Sequence, residues 1–168
     1  MGTRHRASVV VYVVICVLVL AVMVLGALET MVWSPLAMTE PQFDLGRIYA
    51  IVGPVTVVGT FVSLWVWAAL GIGVTTAAGL LMLQPRRPAP PLAVIAVGAT
   101  LLLLGSFARF WADFGMGNTV SDEVPPFRGL QSPVGELLYG FGAAMLPVLA
   151  VVGVVAVVRA LLRRRAAG

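Results

Sequence analysis

The chain has 168 residues, 60% of them hydrophobic and 11% charged, with a net charge of +4; a soluble domain is nearer about 45–50% apolar, so this is the composition of an integral membrane protein. A single histidine, His5, and a single cysteine, Cys16, exclude a bis-histidine haem, a histidine metal centre, a Ser-His-Asp triad, a CxxC redox pair and an internal disulfide. All 11 basic residues are arginine; eight of them, Arg4, Arg6, Arg86, Arg87, Arg159, Arg163, Arg164 and Arg165, are split between two termini and one short turn, and are read as topology anchors and not as a nucleic-acid surface.

The first apolar run, residues 8–28, follows Arg4, His5 and Arg6 and carries no charge. It is longer than the apolar region of a cleavable signal peptide and is read as a retained first span, with Cys16 as an inert thiol at its middle. The first loop, 29–54, is not simply polar: Met31, Trp33, Leu36, Met38 and Phe43 run through it, as expected of a segment that lies on the membrane or folds over helix ends. Within it Asp44 is placed as the N-cap of a short helix over 45–52, Gly53 as its terminator and Pro54 as the restart. That break resolves a length problem, since the nearly unbroken apolar sequence from Ile48 to Leu83 would overshoot a bilayer at about 1.5 Å per residue.

The second span is therefore placed at 55–80. Thr56, Gly59, Thr60 and Ser63 recur on it at helical spacing, and small, weakly polar residues let neighbouring helices approach in lipid. They are read as helix-packing residues, with a polar passage as the alternative. Residues 84–91, QPRRPAPP, form a turn. The third span, 92–111, ends in Arg109, Trp111 and, four residues after the arginine, Asp113. The second loop, 112–133, is the most polar stretch. Ser132, Pro133 and Glu136 then make a helix start, with an N-cap, a proline at the first position and an acid near the positive dipole end. The fourth span, 134–158, carries Gly140 and Ala144 in a small-xxx-small pattern for helix packing, and Pro147.

Eight arginines flank one set of span ends, and all seven acids lie at the other ends with Arg47, Arg109 and Arg128. The positive-inside pattern then predicts a single all-α domain of four transmembrane helices arranged as two hairpins, both termini cytoplasmic. The arginine-only basic set, in a chain rich in Ala, Val, Gly and Leu, suggests a high-GC bacterial source and its inner (plasma) membrane.

No Asp, Glu, Lys or His falls within the central part of a span, which argues against a proton-coupled transporter. The remaining chemistry is a cluster at the acidic ends of three spans: Glu29, Arg109, Asp113 and Glu136. In one reading it binds a lipid headgroup, a polar solute or a partner's charge, Arg109 satisfying two carboxylates with its planar fork. In the other, Arg109 and Asp113 pair within one helix and anchor its end. No metal site and no cofactor are expected. The function expected is that of a non-enzymatic accessory or structural subunit, with membrane lipid, other membrane subunits or further copies of itself as partners. The alternatives are a homo-oligomeric transport or channel component lined by Thr56, Thr60 and Ser63, and an outer-leaflet lipid-modifying enzyme using Asp113, Glu29 or Glu136 as general base.

Overall fold

Inside a bilayer the backbone finds no partner but itself, so a Val-rich run that would be a poor helix in water forms one in lipid. The computed structural model describes residues 3–84, 89–129 and 131–165. It is all-helical in these residues: α1 (Thr3–Leu28), a π-helical turn (Glu29–Trp33), α2 (Ser34–Met38), α3 (Leu45–Met82), α4 (Pro91–Glu123) and α5 (Pro133–Arg165). Four stretches are long and apolar enough to cross a membrane: His5–Met38, Leu45–Met82, Pro91–Glu123 and Pro133–Arg165. Arg86 and Arg87, expected in the turn after the second span, lie outside the described residues.

The helix ends follow local chemistry. The Asp44 carboxylate accepts the Arg47 backbone N–H at 2.8 Å and caps the start of α3. Gly53 breaks that helix internally with φ 79° and ψ 158°, a conformation that any Cβ disfavours, and Pro54 follows it. The short helix over 45–52 is thus angled off the membrane-crossing part. At α4 the sequence Pro90-Pro91 supplies a first turn that needs no N–H. The helix stops at Glu123, just before Pro125 and Pro126, whose rings cannot continue it. α5 begins where the Ser132 hydroxyl accepts the Gly135 N–H at 3.1 Å, and it runs through Pro147 without interruption.

α4 is the central element, packed by α1, α3 and α5. At membrane depth Val22, Met23, Leu64, Trp67, Leu102, Ala112 and Leu138 form the core. The Trp67 indole N–H donates to the Gly105 carbonyl at 3.1 Å, which satisfies the one polar atom of a large buried ring. Towards the arginine-rich ends, the Ser8 hydroxyl donates to the Ala89 carbonyl at 2.8 Å, and the Tyr12 hydroxyl donates to the Thr75 carbonyl at 2.8 Å. Tyr12 also occupies the space that a side chain at Gly79 would fill.

The segment after Trp111 departs from the sequence expectation. In place of a loop from 112, α4 continues three turns to Glu123. Met116, Val120 and Val124 form a buried stripe at intervals of four and pack on Ile48 and Val52 of the angled helix, with Met31, Met38, Phe43 and Tyr49 around them. The first loop also folds over the helix ends, and the Arg128 N–H donates to the Met38 carbonyl at 2.8 Å to tie the two connecting segments together. The acidic end is therefore a small second core that caps the spans.

Helix packing also differs from the expected positions. Thr60 is buried and Thr56 half-buried, but Gly59 and Ser63 face outward, and the Ser63 hydroxyl bonds its own helix at the Gly59 carbonyl. Gly140 and Ala144 are exposed as well. The close approach on α5 is made by Gly142, where a Cβ would lie 2.6 Å from the Ser106 side chain, and on α1 and α4 by Gly26 and Gly98. The reason is rotational: the side of a helix that meets its neighbour is set by where α4 lies, which the spacing of small residues on one span does not specify.

Candidate functional site

The end of α1 winds into a π turn, in which the Ser34 N–H reaches back five residues to the Glu29 carbonyl. One residue inserted into a helix rotates everything after it by about 100°, and such bulges gather at functional positions. Here the turn leaves Glu29 and Thr30 facing inward, 4% and 1% exposed. The Tyr49 hydroxyl of α3 donates to the Met31 carbonyl within the same turn.

Arg109 of α4 comes against this corner and is 1% exposed. Its stem lies along Gly26, where a Cβ would stand 2.8 Å from Cδ, so glycine at that position is what admits the arginine. Its guanidinium lies over the Tyr139 ring, Cζ 4.6 Å from the centroid, and Nη2 stands 3.4 Å from Asp113 Oδ2. Asp113 is shared among elements: Oδ1 accepts from the Thr30 hydroxyl of the π turn, and Oδ2 from the Tyr139 hydroxyl of α5 at 3.3 Å. Thr30 Oγ1 is also 3.0 Å from the Gly26 carbonyl. Glu29 accepts from the Ser132 hydroxyl, whose oxygen caps α5, and it fills the space beside Gly135.

Three of the four expected site residues are thus brought to one corner, and the fourth is not. Glu136 points outward in the first turn of α5 and is exposed. The inward face of α5 is set by Gly135, Leu138 and Gly142, with Tyr139 at its edge, and position 136 is turned about 100° away from Gly135 and about 160° away from Leu138. Nor does Arg109 fork two carboxylates. Among the described residues its one ion pair is with Asp113, while Glu29 is held by Ser132. Neither Nη1 nor Nη2 makes a hydrogen bond. Thr30, Ser132 and Tyr139 are the members that the sequence did not reveal. Ser132 was legible as a cap, but nothing local marks its reach to a residue 103 positions away.

A separate groove of about 510 Å³ runs between α3 and α4, lined by Ser63, Trp67, Gly71, Gly105, Ala108 and Trp111 among others, with no charged residue in its wall. Trp111, Phe110 and Phe114 stack edge to face or tilted, with centroids 5.7 to 6.3 Å apart, on the outer surface of α4. Among the described residues no three His, Cys, Asp or Glu side chains gather as a metal site would require.

The chain matches no family model, no curated protein and no solved structure. What the corner can do is therefore read from its own geometry. It joins α1, α4 and α5 by charge and hydroxyl contacts, with its carboxylates already engaged by side chains of the same chain. That is the arrangement of an internal clasp, in which burial makes each retained contact count for more than it would in water.

Proposed function

We propose that the chain is a non-enzymatic accessory or structural subunit of a membrane assembly, working through its helix faces and its acidic-end cap. The observation that carries this reading is α5. Its buried residues are Gly135, Leu138 and Gly142, all within its first three turns. From 146 to 165 every position is exposed or half-buried, with Val151, Val154, Val157, Leu161 and Leu162 among the most open. A span whose fully buried positions all lie near one end, and whose remaining length is at most half-buried, leaves a broad face for lipid or for a neighbouring helix, and helix association in lipid depends on such faces. The engagement of Glu29 and Asp113 within the clasp supports a non-catalytic role for them. The distribution of arginine supports two hairpins with both termini on the cytoplasmic side of a bacterial plasma membrane.

The test is capture of tagged protein from its native host in mild detergent, compared with a variant in which Val151, Val154 and Val158 are replaced by tryptophan. A stoichiometric partner, or a defined oligomer, that is lost in the variant supports the reading. A lone monomer in both samples overturns it.

A further inference from the structure

The other end of α5 carries charge for which the described residues supply no ion pair. Arg159, Arg163, Arg164 and Arg165 are all exposed and all helical. The nearest acid in sequence is Glu136, about 35 Å away along a helix that rises about 1.5 Å per residue. The remaining acids are Glu29, Glu40, Asp44, Asp113, Asp122 and Glu123, which belong to the clasp and cap at the opposite end. From Val157 to Arg165 every position of α5 is exposed, so these arginines lie on an open stretch of the helix.

Their depth follows from the clasp. Tyr139 is level with Arg109, which lies over its ring, and from Pro91 to Arg109 α4 has risen about 27 Å, close to one hydrocarbon thickness. Twenty residues separate Tyr139 from Arg159, about 30 Å of helix, which again is the thickness of the hydrocarbon layer. Arg159 then stands at the far boundary and Arg163 to Arg165 lie about 6–9 Å beyond it, within the headgroup layer.

We infer that this end of α5 is a binding surface for anionic phospholipid headgroups, the arginines pairing with their phosphate oxygens. Guanidinium is well suited to this, since its planar fork matches a phosphate with two parallel bonds. A helix that presents four such groups over two turns offers contacts to more than one headgroup at once. Nucleic acid or an acidic protein would meet the same charge, but the arginines sit where the bilayer itself places phosphates.

The purified full-length protein, reconstituted in phosphatidylcholine vesicles, tests this with trace spin-labelled phosphatidylglycerol or phosphatidylcholine as the probe. The motionally restricted fraction reports which lipid the protein retains. The expected preference for phosphatidylglycerol is about fivefold, the factor one arginine contributes near an anionic surface. The preference falls towards unity in the variant with Arg159, Arg163, Arg164 and Arg165 all changed to Gln, and in 1 M salt, where screening extends to about 3 Å. Glutamine keeps the helix, and these positions make no core contact, so the variant folds. Arg128→Gln, at the opposite end, leaves the preference in place. An absent preference in the natural sequence, an unchanged one in the fourfold variant, or an equal loss in Arg128→Gln overturns the inference. So does arginine-dependent binding of soluble heparin by protein that shows no lipid preference.

Discussion

Removing Asp113 should cost the protein far more stability than removing Arg109, although the two form one pair. Asp113→Leu strands a guanidinium that is 1% exposed and whose Nη1 and Nη2 already lack hydrogen bonds, and it also deprives Thr30 and Tyr139 of their shared acceptor. A buried charge left alone costs about 3–5 kcal/mol. Arg109→Met keeps an unbranched stem against Gly26 and leaves a carboxylate that is 18% exposed and still accepts from two hydroxyls, so the loss is about 1–2 kcal/mol, that of one contact to a charged group. The double variant removes both charges from a nearly closed corner. It should fall within about 1 kcal/mol of the natural protein, because an apolar pair of similar volume avoids the desolvation of two ions. The assay is equilibrium unfolding in mixed micelles for the four members of this cycle, which isolates the coupling between the two residues. An Arg109→Met loss as large as that of Asp113→Leu, or two single losses that simply add, would refute the clasp as described here.

Further outcomes follow from the packing. Gly142→Val pushes a methyl into Ser106 and should destabilise the attachment of α5 by about 1–3 kcal/mol, whereas Gly140→Val, which meets open space, stays within about 0.5 kcal/mol; the same unfolding assay separates them. Gly53→Ala forces a side chain into φ 79° and ψ 158° and costs about 1–3 kcal/mol. In native-state hydrogen exchange that loss should appear first in the segment 45–52, and uniform loss across α3 would contradict it. For orientation, Ser121→Cys should react with an impermeant thiol reagent on intact cells and Ala89→Cys should not; the reverse labelling would invert the proposed topology.

Much of the scaffold was legible because local rules decide it. Asp44, Gly53 and Pro54 announce a capped short helix and a break, and Ser132-Pro133 announces the start of α5, since a cap or a positive φ involves only neighbouring residues. The extension of α4 past Trp111 is not what hydropathy marks. Polarity marks where lipid stops, while the helix itself continues as long as no residue breaks it and a face stays buried. The spacing of Ala112, Met116, Val120 and Val124 carried that signal in plain view. Glu136 shares only its depth with the cluster, and depth says nothing about which way a side chain faces.

The sequence by itself determined that the chain is helical, that four of its stretches can cross a membrane, and that its charges fall into two opposed sets. Those follow from free energies of transfer and from backbone hydrogen bonding, which act residue by residue. Only the tertiary structure decided that α4 is the hub, that Gly26 and Gly142 are where its neighbours press close, and that a π turn swings Glu29 and Thr30 inward to meet Asp113 and Ser132. These depend on the rotation of each helix about its axis. In a chain apolar on every face that angle is set by the fit of side chains on several helices at once, and no single span carries it.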